Sequence, residues 1–261
     1  MGKIDTAVGF LGCGGIASAL TEGLCGASDF AGRIFVFNRN PAKAEALEAL
    51  CPDKVTAVKS NQDVVDSAEV IFPALVPDVL RQVAPSLRIR PENRIVHIAA
   101  GIKLAEARSW FEPAASMVRC VPLPFAARRM GPVVLYGDDA KCEHLLALVG
   151  SVVKVATEKD LEILAAITGM MVSYYALVGE AVRWGMSKGI DFKSALDYTT
   201  LMNEALSALM RSDCTEDVES FLLKHITPNG MNEMGLKIMR ESGAYAAWTE
   251  ALEQIGRRYG L

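Results

Sequence analysis

Three small residues near the N-terminus have the spacing of a dinucleotide-binding turn. Gly12, Gly14 and Ala17 follow the apolar stretch TAVGFL and open a run of small residues with helical spacing. In such a turn the first glycine allows the chain to reverse, and the second lets the backbone approach a pyrophosphate. The small third residue lets the helix pack on the strand, and the phosphates meet the free N–H groups at the helix N-terminus. The spacing predicts a dinucleotide site.

The end of the second predicted strand indicates which dinucleotide binds. The stretch FVFNRNPAK supplies Asn38, Arg39 and Lys43 and no carboxylate. NAD sites usually place an acid here against the ribose 2′-hydroxyl, whereas an arginine accommodates a 2′-phosphate. NADPH is therefore favoured as the cofactor, with NADH as the alternative. The interpretation that Arg39 is only a solvated loop residue stays open, because surface arginines are common.

Other chemistry-bearing residues are scattered. The histidines share no ligand spacing, and the cysteines form no CxxC motif; these are Cys13, Cys25, Cys51, Cys120, Cys142 and Cys214. The pattern predicts no metal site and reduced thiols in a cytoplasmic protein. His97, inside an apolar strand, fits a packed core residue better than a catalyst. His144 and His225 are expected on helix surfaces.

Length and charge limit the classes of partner. The chain has 261 residues, 51% of them hydrophobic, and a net charge of −4, which suits one large domain and one smaller one. Because no basic patch is present, nucleic acid is not an expected partner. We expect no apolar run long enough to span a bilayer, and therefore no membrane partner.

The first part of the chain alternates strands with helical segments. This pattern predicts an α/β fold with a mostly parallel sheet covered on both faces, over residues 1–156. The glycine turn lies between the strand Thr6–Leu11 and the helix Ile16–Leu24. Further strands are predicted at Arg33–Phe37, Glu69–Pro73, Arg94–Ile98, Met117–Val121, Val133–Tyr136 and Val152–Val155.

The remainder, residues 157–261, is predicted to be all-helical. Apolar residues from Glu158 to Lys188 keep helical spacing, which favours one long helix. Its apolar stripe and its glycines predict burial against a second copy, as a homodimer or a multiple of dimers. Shorter helices follow at Lys193–Met210, Asp217–Lys224, Asn232–Glu241 and Ala244–Arg258.

Several motifs, in this order, resemble those of the pyrroline-5-carboxylate reductases. They are FLGCGGIASAL, VHIAAGI, MVRCVPLP, ITGMMVSYYALVGEA and HITPNGMNEMGLKIMRESG. That family reduces a cyclic imine to proline with NAD(P)H. The resemblance implies an oxidoreductase of proline biosynthesis with an N-terminal Rossmann domain and a C-terminal helical domain for substrate binding and dimerisation. Its substrate would be a small-molecule imine.

The resemblance also implies site residues. The cofactor would be held by Gly12, Gly14, Gly15, Ile16, Ala17, Asn38, Arg39, Lys43, Ala74, Leu75, Ala99, Ala100 and Gly101. The substrate would be held by Thr168, Thr227, Asn229, Gly230, Met231 and Asn232. Asn232 and Tyr174 are the candidates for catalysis.

The motifs depart from the family pattern where substrate would bind. In the segment that normally reads PNTP, Leu123 and Pro124 replace the asparagine and threonine, and SGSGPAY has become TGMMVSY. In the SPGGTT turn, Met231 and Asn232 replace two threonines. Two alternatives therefore stay open: a paralogue that reduces a different imine or a keto compound in secondary metabolism, and an NADPH-binding protein without turnover.

Three expectations concern individual side chains of the substrate region. The turn Thr227–Asn232 should present free N–H groups to a carboxylate, with the Asn232 amide either as a further donor or as a helix cap. Of Tyr174 and Tyr175, one should lie in the core and the other face the cleft. The methionines Met170, Met171, Met231 and Met234 fit core packing better than a substrate pocket.

Overall fold

The computed structural model describes residues 2–261 and contains two compact units. The first ends at Leu164 and the second is Ala165–Leu261. The first unit combines strands and helices, whereas the second is all-helical.

The first unit is an alternating α/β structure. Its strands are β1 (Val8–Leu11), β2 (Ile34–Phe37), β3 (Val55–Ala57), β4 (Val70–Pro73), β5 (Arg94–His97), β6 (Ser116–Val121), β7 (Pro132–Tyr136) and β8 (Ser151–Val155). Its helices are α1 (Gly15–Gly26), α2 (Pro41–Leu50), α3 (Asn61–Ser67), α4 (Pro77–Val83), α5 (Leu104–Arg108) and α6 (Ala140–Ala147). Short 3₁₀ turns lie at Ala84–Ser86 and Pro124–Arg128. The predicted fold class is confirmed.

All eight strands form one sheet in the order β3-β2-β1-β4-β5-β6-β7-β8. Every neighbouring pair is parallel except β6 and β7. The chain order reverses between β1 and β4, and ligands of such sheets bind in the crevice beyond the carboxyl ends of the strands at this place. Both strands are buried along their whole length, and Phe10 stacks on Phe72 across them with ring centroids 4.9 Å apart. The glycine turn follows β1, so it lies at this crevice.

Six helices follow the sheet. They are α7 (Glu158–Thr168), α8 (Met171–Ser187), α9 (Phe192–Asp213), α10 (Val218–Lys224), α11 (Met231–Glu241) and α12 (Ala244–Gly256), and a 3₁₀ turn at Arg257–Tyr259 ends the series. The structure contains no strand after Val155 within residues 2–261, as the sequence predicts.

The expectation of one long helix from Glu158 is wrong, because the helix breaks at Gly169. The N–H groups of Gly169 and Met170 bond to the carbonyls of Ala166 and Ile167, both at 3.0 Å, in the tighter pattern that ends α7. A Cβ on Gly169 would lie 3.0 Å from two side-chain atoms of Ile255 in α12. The glycine therefore permits a close approach of α12 at the break.

The junction between the units lies inside α7. The sequence places the domain boundary at 156/157, whereas the compact units divide at 164/165. The first half of α7 stays with the sheet because Glu158 and Glu162 both pair with Arg119 of β6.

The stretch Glu158–Ser187 is long and apolar enough to cross a membrane by length and composition alone. The expectation that no stretch reaches that length is therefore wrong, because Glu180 is the one charged residue between Ile163 and Val182. Most of this stretch is exposed in the single chain. Large apolar side chains such as Trp184 on α8, and Tyr198 and Leu201 on α9, are also exposed.

Candidate functional site

The glycine turn after β1 has the geometry that its predicted roles require. Gly12 has a φ of +98°, and a Cβ there would lie 2.8 Å from the carbonyl oxygen of Ala74. A Cβ on Gly14 would meet no atom within 4 Å, so this position faces open space. Ala17 is fully buried in α1. The first position thus makes the turn, the second leaves room for a ligand, and the third packs.

The N-terminus of α1 is available to an anion. Its N-cap, Gly14, has no side chain, and no acidic residue lies in the first turn. The N–H of Ser18 bonds to the carbonyl of Gly14 at 2.9 Å, so the N–H groups of Gly15, Ile16 and Ala17 precede the helical ladder. Such a helix end favours phosphate through its N–H groups and its dipole.

A cleft of about 490 Å³ lies beside this turn. Among the predicted cofactor residues it is lined by Gly12, Gly14, Asn38, Arg39, Lys43, Ala74 and Leu75. Gly15, Ile16 and Ala17 lie at the start of α1, and Ala99, Ala100 and Gly101 follow β5, without lining it. The structure thus gathers the predicted residues that follow β1, β2 and β4 around one opening.

The cleft also contains residues that the sequence analysis missed. Asn61, at the start of α3, lines the cleft, and its Oδ1 is buried without a partner among residues 2–261. Gln82 of α4 lines the same cleft. Asn61 was missed because it follows β3, a three-residue strand without a recognisable apolar run. An unpaired acceptor of this kind suits a hydrogen-bond donor of a nucleoside.

Two cations at the end of β2 are not neutralised. Arg39 and Lys43 are exposed, line the cleft and form no side-chain hydrogen bond or ion pair with any described residue. Unpaired cations beside a helix N-terminus that is free of acids suit a 2′-phosphate and a pyrophosphate. The residues present therefore fit an NADP-type dinucleotide.

Asn38 connects the two loops of the cleft. Its Oδ1 accepts a hydrogen bond from the N–H of Cys13 at 3.3 Å, and its Nδ2 donates to the carbonyl of Asn40 at 3.1 Å. Asn40 in turn caps α2 by accepting from the N–H of Ala42. Asn38 thus holds the glycine turn against the loop that carries Arg39.

Neither Cys13, which lines the cleft, nor Cys25, in the last turn of α1, is prepared for nucleophilic chemistry. Burial raises the pKa of Cys13 to about 11, although Lys43 opposes the shift, and burial raises the pKa of Cys25 to about 12. Both stay protonated at neutral pH and thus are poor nucleophiles. All six cysteines are free thiols. No cluster of three metal-ligating side chains is found across residues 2–261.

His97 lies at the end of β5 and is fully buried. Its Nε2 is 2.9 Å from the carbonyl of Ile102, and because a carbonyl only accepts, Nε2 carries the hydrogen. Burial lowers the pKa of His97, and the nearby Arg119 lowers it further, so the ring is neutral. This placement agrees with a core residue that supports the turn Ala99–Gly101.

A buried ion cluster was not predicted from the sequence. Arg119 of β6 donates from Nη1 to Glu158 Oε1 at 2.6 Å and to Glu162 Oε1 at 3.1 Å. Glu158 Oε1 also accepts from the N–H of Leu104 at 2.7 Å. The one available signal was an arginine inside the apolar strand MVRCV, since such a residue needs a charged partner when buried.

Two backbone donors of the predicted substrate turn, Thr227–Asn232, are occupied, whereas the N–H groups of Met231 and Asn232 precede the first bond of the α11 ladder, from Met234 to Gly230. The N–H of Asn229 donates to Glu233 Oε2 at 2.6 Å, and the N–H of Gly230 donates to the carbonyl of Thr227 at 2.8 Å. The expectation of free N–H groups is therefore wrong at these two positions. Glu233 could have indicated this from the sequence, because an acid at the third position of a helix commonly accepts a hydrogen bond from the backbone just before the helix.

Asn232 does not cap α11. The N-cap is Gly230, which has no side chain, and the Asn232 amide donates from Nδ2 to the carbonyl of His225 at 3.3 Å. The interpretation of Asn232 as a helix cap is wrong because the helix begins one residue earlier than predicted. Its amide instead connects α11 to the end of α10.

Other side chains of the second unit are also more exposed than predicted. Tyr174 and Tyr175 are 39% and 55% exposed, so neither lies in the core of the single chain. The hydroxyl of Tyr174 donates to Asn203 Oδ1 of α9 at 3.1 Å. The prediction of core packing is confirmed for Met170, which is buried. It is wrong for Met231 and Met234, which lie on an exposed face of α11. Thr168 is the last residue of α7, and Met171, partly buried, is the first of α8.

Comparison with known proteins shows which proteins the chain resembles. Residues 7–101 match a model described as NADP oxidoreductase, coenzyme F420-dependent, and residues 158–260 match one described as pyrroline-5-carboxylate reductase dimerisation. A pyrroline-5-carboxylate reductase of Pseudomonas aeruginosa is 28% identical over 96% of this chain and 94% of its own. The chain is thus similar to pyrroline-5-carboxylate reductases along nearly its whole length, and its C-terminal part matches their dimerisation domain.

Solved structures of pyrroline-5-carboxylate reductases have the same fold as this chain. The reductase of Streptococcus pyogenes matches with a TM-score of 0.82 at 19% identity, over 97% of this chain and 98% of that one. The Plasmodium falciparum pyrroline carboxylate reductase, solved with NADP bound, matches with a TM-score of 0.80 at 16% identity, over 98% of each chain. Family members thus have this arrangement of sheet and helices along nearly their whole length.

Proposed function

We propose that this chain is an NADPH-dependent reductase of the C=N bond of a small imine. One observation carries the proposal: the cleft beside β1 is open at Gly14 and contains two cations, Arg39 and Lys43, without partners among the described residues. In a chain similar to pyrroline-5-carboxylate reductases, that combination suits the pyrophosphate and 2′-phosphate of NADPH. An acid at the end of β2 would have favoured NADH instead.

The reaction requires little acid–base catalysis from the protein. Bound NADPH would supply a hydride, and hydride transfer requires that donor and acceptor carbons be held close together and away from water. A protonated imine is already activated by its positive charge: the carbon gains the hydride, the nitrogen keeps its proton, and an amine results. Accordingly, the site needs positioning groups more than a strong acid. We assign Tyr174 and Asn232 as candidates for that role, with substrate contacts also from Thr168.

A neutral polar side chain in each of these places suits such positioning. The Tyr174 hydroxyl donates its hydrogen to Asn203 Oδ1, and its oxygen can still accept a hydrogen bond from a substrate N–H. The Asn232 amide uses one donor on the carbonyl of His225 and retains a second donor and its carbonyl oxygen. Either group can therefore orient an imine without becoming charged.

We further propose that the chain works as a homodimer, or a multiple of it, in the cytoplasm. The dimerisation model covers residues 158–260, which include the exposed apolar stretch Glu158–Ser187. A second copy of the chain would cover this surface. Length and composition alone do not distinguish such an interface helix from a helix that spans a membrane. The free thiols suit a reducing compartment.

NADPH oxidation tests the proposal. Purified protein is offered pyrroline-5-carboxylate, other small imines and a ketone of similar size, with the Gly14→Val variant as the control that should lack cofactor binding. We expect turnover with at least one imine, little with the ketone, and none in the control. Tight NADPH binding without turnover of any imine would instead indicate a binding protein.

A further inference from the structure

We propose that Glu158 is a positioning residue for hydride transfer, because it fixes the turn Ala99–Gly101, which would hold the nicotinamide half of NADPH. The inference rests on the proposed function and on the resemblance that places this turn at the cofactor. It adds to that function a residue that lies outside the cleft, at the start of the helix that follows the sheet.

The strand order indicates which half of the dinucleotide this turn would meet. Arg39 follows β2 and suits the 2′-phosphate of the adenosine half, and the N-terminus of α1, after β1, suits the pyrophosphate. The sheet continues on the other side of β1 with β4 and β5, and the turn follows β5. Because neighbouring strands lie about 4.8 Å apart, the ends of β2 and β5 are separated by about 14 Å along the crevice. The turn after β5 is therefore the place for the nicotinamide half.

The turn itself offers room and unpaired backbone groups. Ala100 and Gly101 are exposed, and a Cβ on Gly101 would meet no atom within 4 Å. No residue in 2–261 forms a hydrogen bond with the backbone of Ala99, Ala100 or Gly101. These groups are available to a ligand, and the shape of the turn depends on the contacts that hold its two ends.

Two side chains hold the ends of this segment. At its start, His97 donates from Nε2 to the carbonyl of Ile102 at 2.9 Å. At its end, the N–H of Leu104 donates to Glu158 Oε1 at 2.7 Å. Leu104 is the first residue of α5, and the N-cap residue Lys103 makes no capping bond with its side chain. Glu158 therefore caps α5 from a distant part of the chain and fixes where the segment ends.

Glu158 is itself held by the sheet. Arg119 of β6 is buried and donates from Nη1 to Glu158 Oε1 at 2.6 Å and to Glu162 Oε1 at 3.1 Å. A charge-assisted bond to a buried guanidinium orients the carboxylate. Glu162 shares the same cation but forms no hydrogen bond with residues 98–104. The two carboxylates thus differ in the bond to Leu104, which allows a matched comparison.

The test compares Glu158→Ala, Glu158→Gln and Glu162→Ala with wild type. Glu158→Gln keeps an acceptor oxygen for the Leu104 N–H, whereas Glu162→Ala removes a carboxylate of the same cluster without removing that bond. Titration measures the affinity for NADPH and for adenosine 2′,5′-bisphosphate, which carries the adenosine half and the 2′-phosphate but no nicotinamide. Thermal unfolding reports the stability of each variant, and binding of the bisphosphate shows that its cofactor domain is folded.

We expect Glu158→Ala to weaken NADPH binding about fivefold or more, as the loss of one hydrogen bond implies, and to keep bisphosphate binding within about twofold of wild type. Glu158→Gln should recover most of the loss. Glu162→Ala should bind both ligands within about twofold of wild type, even where its stability falls. Equal losses of both ligands in Glu158→Ala, an unchanged affinity for NADPH, or an equal effect of Glu162→Ala would overturn the inference.

Turnover separates this inference from the proposed function. At saturating NADPH and saturating pyrroline-5-carboxylate, or the small imine that wild type reduces faster, Glu158→Ala should lower kcat about tenfold or more, because small displacements of reacting atoms slow the reaction steeply. Glu162→Ala should keep kcat within about twofold. An unchanged kcat in Glu158→Ala would overturn the positioning role. If wild type reduces no imine, the reductase proposal fails, and the two titrations decide the role of Glu158.

Discussion

Arg119 Nη1 lies 2.6 Å from Glu158 Oε1, and this pair of a buried guanidinium and a half-buried carboxylate joins the sheet to the helix that leads out of it. The same carboxylate oxygen accepts the N–H of Leu104, just after the turn Ala99–Gly101 that the family resemblance places at the cofactor. Glu162 completes the cluster at 3.1 Å. The guanidinium therefore compensates two carboxylates and, through one of them, orients the start of α5.

Removing that guanidinium should destabilise the first unit strongly. We expect Arg119→Met to lower the free energy of unfolding by about 3 kcal/mol, because the buried Glu162 and the half-buried Glu158 lose their counter-charge. Chemical denaturation measures the effect, with Arg108→Met on the exposed side of α5 as the control, expected within about 0.5 kcal/mol of wild type. Adding Glu158→Gln and Glu162→Gln to Arg119→Met should recover part of the loss. A loss below about 1 kcal/mol in Arg119→Met would contradict the compensating role.

Two valine substitutions in the glycine turn should have opposite effects. Gly14→Val should fold normally, because a side chain there meets open space, yet lose NADPH affinity because it occupies the room for the pyrophosphate. Gly12→Val should cost about 1–3 kcal/mol of stability, because φ is positive and the Ala74 carbonyl is close. Cofactor titration beside thermal unfolding compares them. Unchanged affinity in a folded Gly14→Val would remove the dinucleotide from this turn.

Arg39 should determine cofactor preference. Arg39→Ala should weaken NADPH binding by about 1.5–3 kcal/mol and leave NADH binding nearly unchanged, because only NADPH carries the 2′-phosphate. Titration of both cofactors measures this, with Arg108→Ala as a control outside the cleft. Equal losses for the two cofactors would indicate that Arg39 does not meet the 2′-phosphate.

The neutral, buried His97 should make folding pH-dependent. Since its pKa is lowered from about 6.5 in the folded chain, the unfolded chain binds the proton first, and stability falls as the pH drops below that value. The slope contributed by one such group is at most about 1.4 kcal/mol per pH unit. Denaturation from about pH 7.5 to about pH 5.5 should show a weaker fall in His97→Gln than in wild type. His144 is exposed, and His144→Gln should keep the wild-type dependence of stability on pH. The same dependence in His97→Gln as in wild type would show that His97 is not its source.

The exposed apolar face of the second unit should hold two copies together. Light scattering should report a dimer or a multiple of it at micromolar concentration. Leu201→Asp, at an exposed position of α9, should shift the protein toward monomer because it places a charge in an apolar contact. Leu50, on α2 of the first unit, is exposed to a similar extent, and Leu50→Asp should leave the oligomeric state unchanged. A wild-type protein that stays monomeric would exclude this interface.

The elements that the sequence predicted best are those determined locally. The strand β1, its glycine turn and α1 follow from an apolar run and three small residues, and they were located to within about two residues. The three-residue β3 was missed because its pairing with β2, rather than its own pattern, makes it a strand.

Features that depend on distant residues were not predictable in the same way. The break at Gly169 depends on Ile255 in α12, and the partners of Arg119 lie 39 and 43 positions further along the chain. The turn before α11 was interpreted from its backbone alone, without the Glu233 side chain that folds back onto it. The exposure of Tyr174, Tyr175, Met231 and Met234 is that of the single chain, and the sequence pattern alone does not separate residues of a core from residues of an interface.

The double role of Asn38 limits how the cofactor preference of this scaffold can be altered. A common way to favour NADH is to place a carboxylate at the end of the second strand. At position 38 an aspartate would keep an acceptor for the Cys13 N–H but lose the donor to the Asn40 carbonyl, and its charge would add to the region where the pyrophosphate belongs. An exchange at position 39 leaves both bonds of Asn38 in place. Redesign of the nucleotide preference should therefore begin at position 39 and not at position 38, the first residue after the second strand.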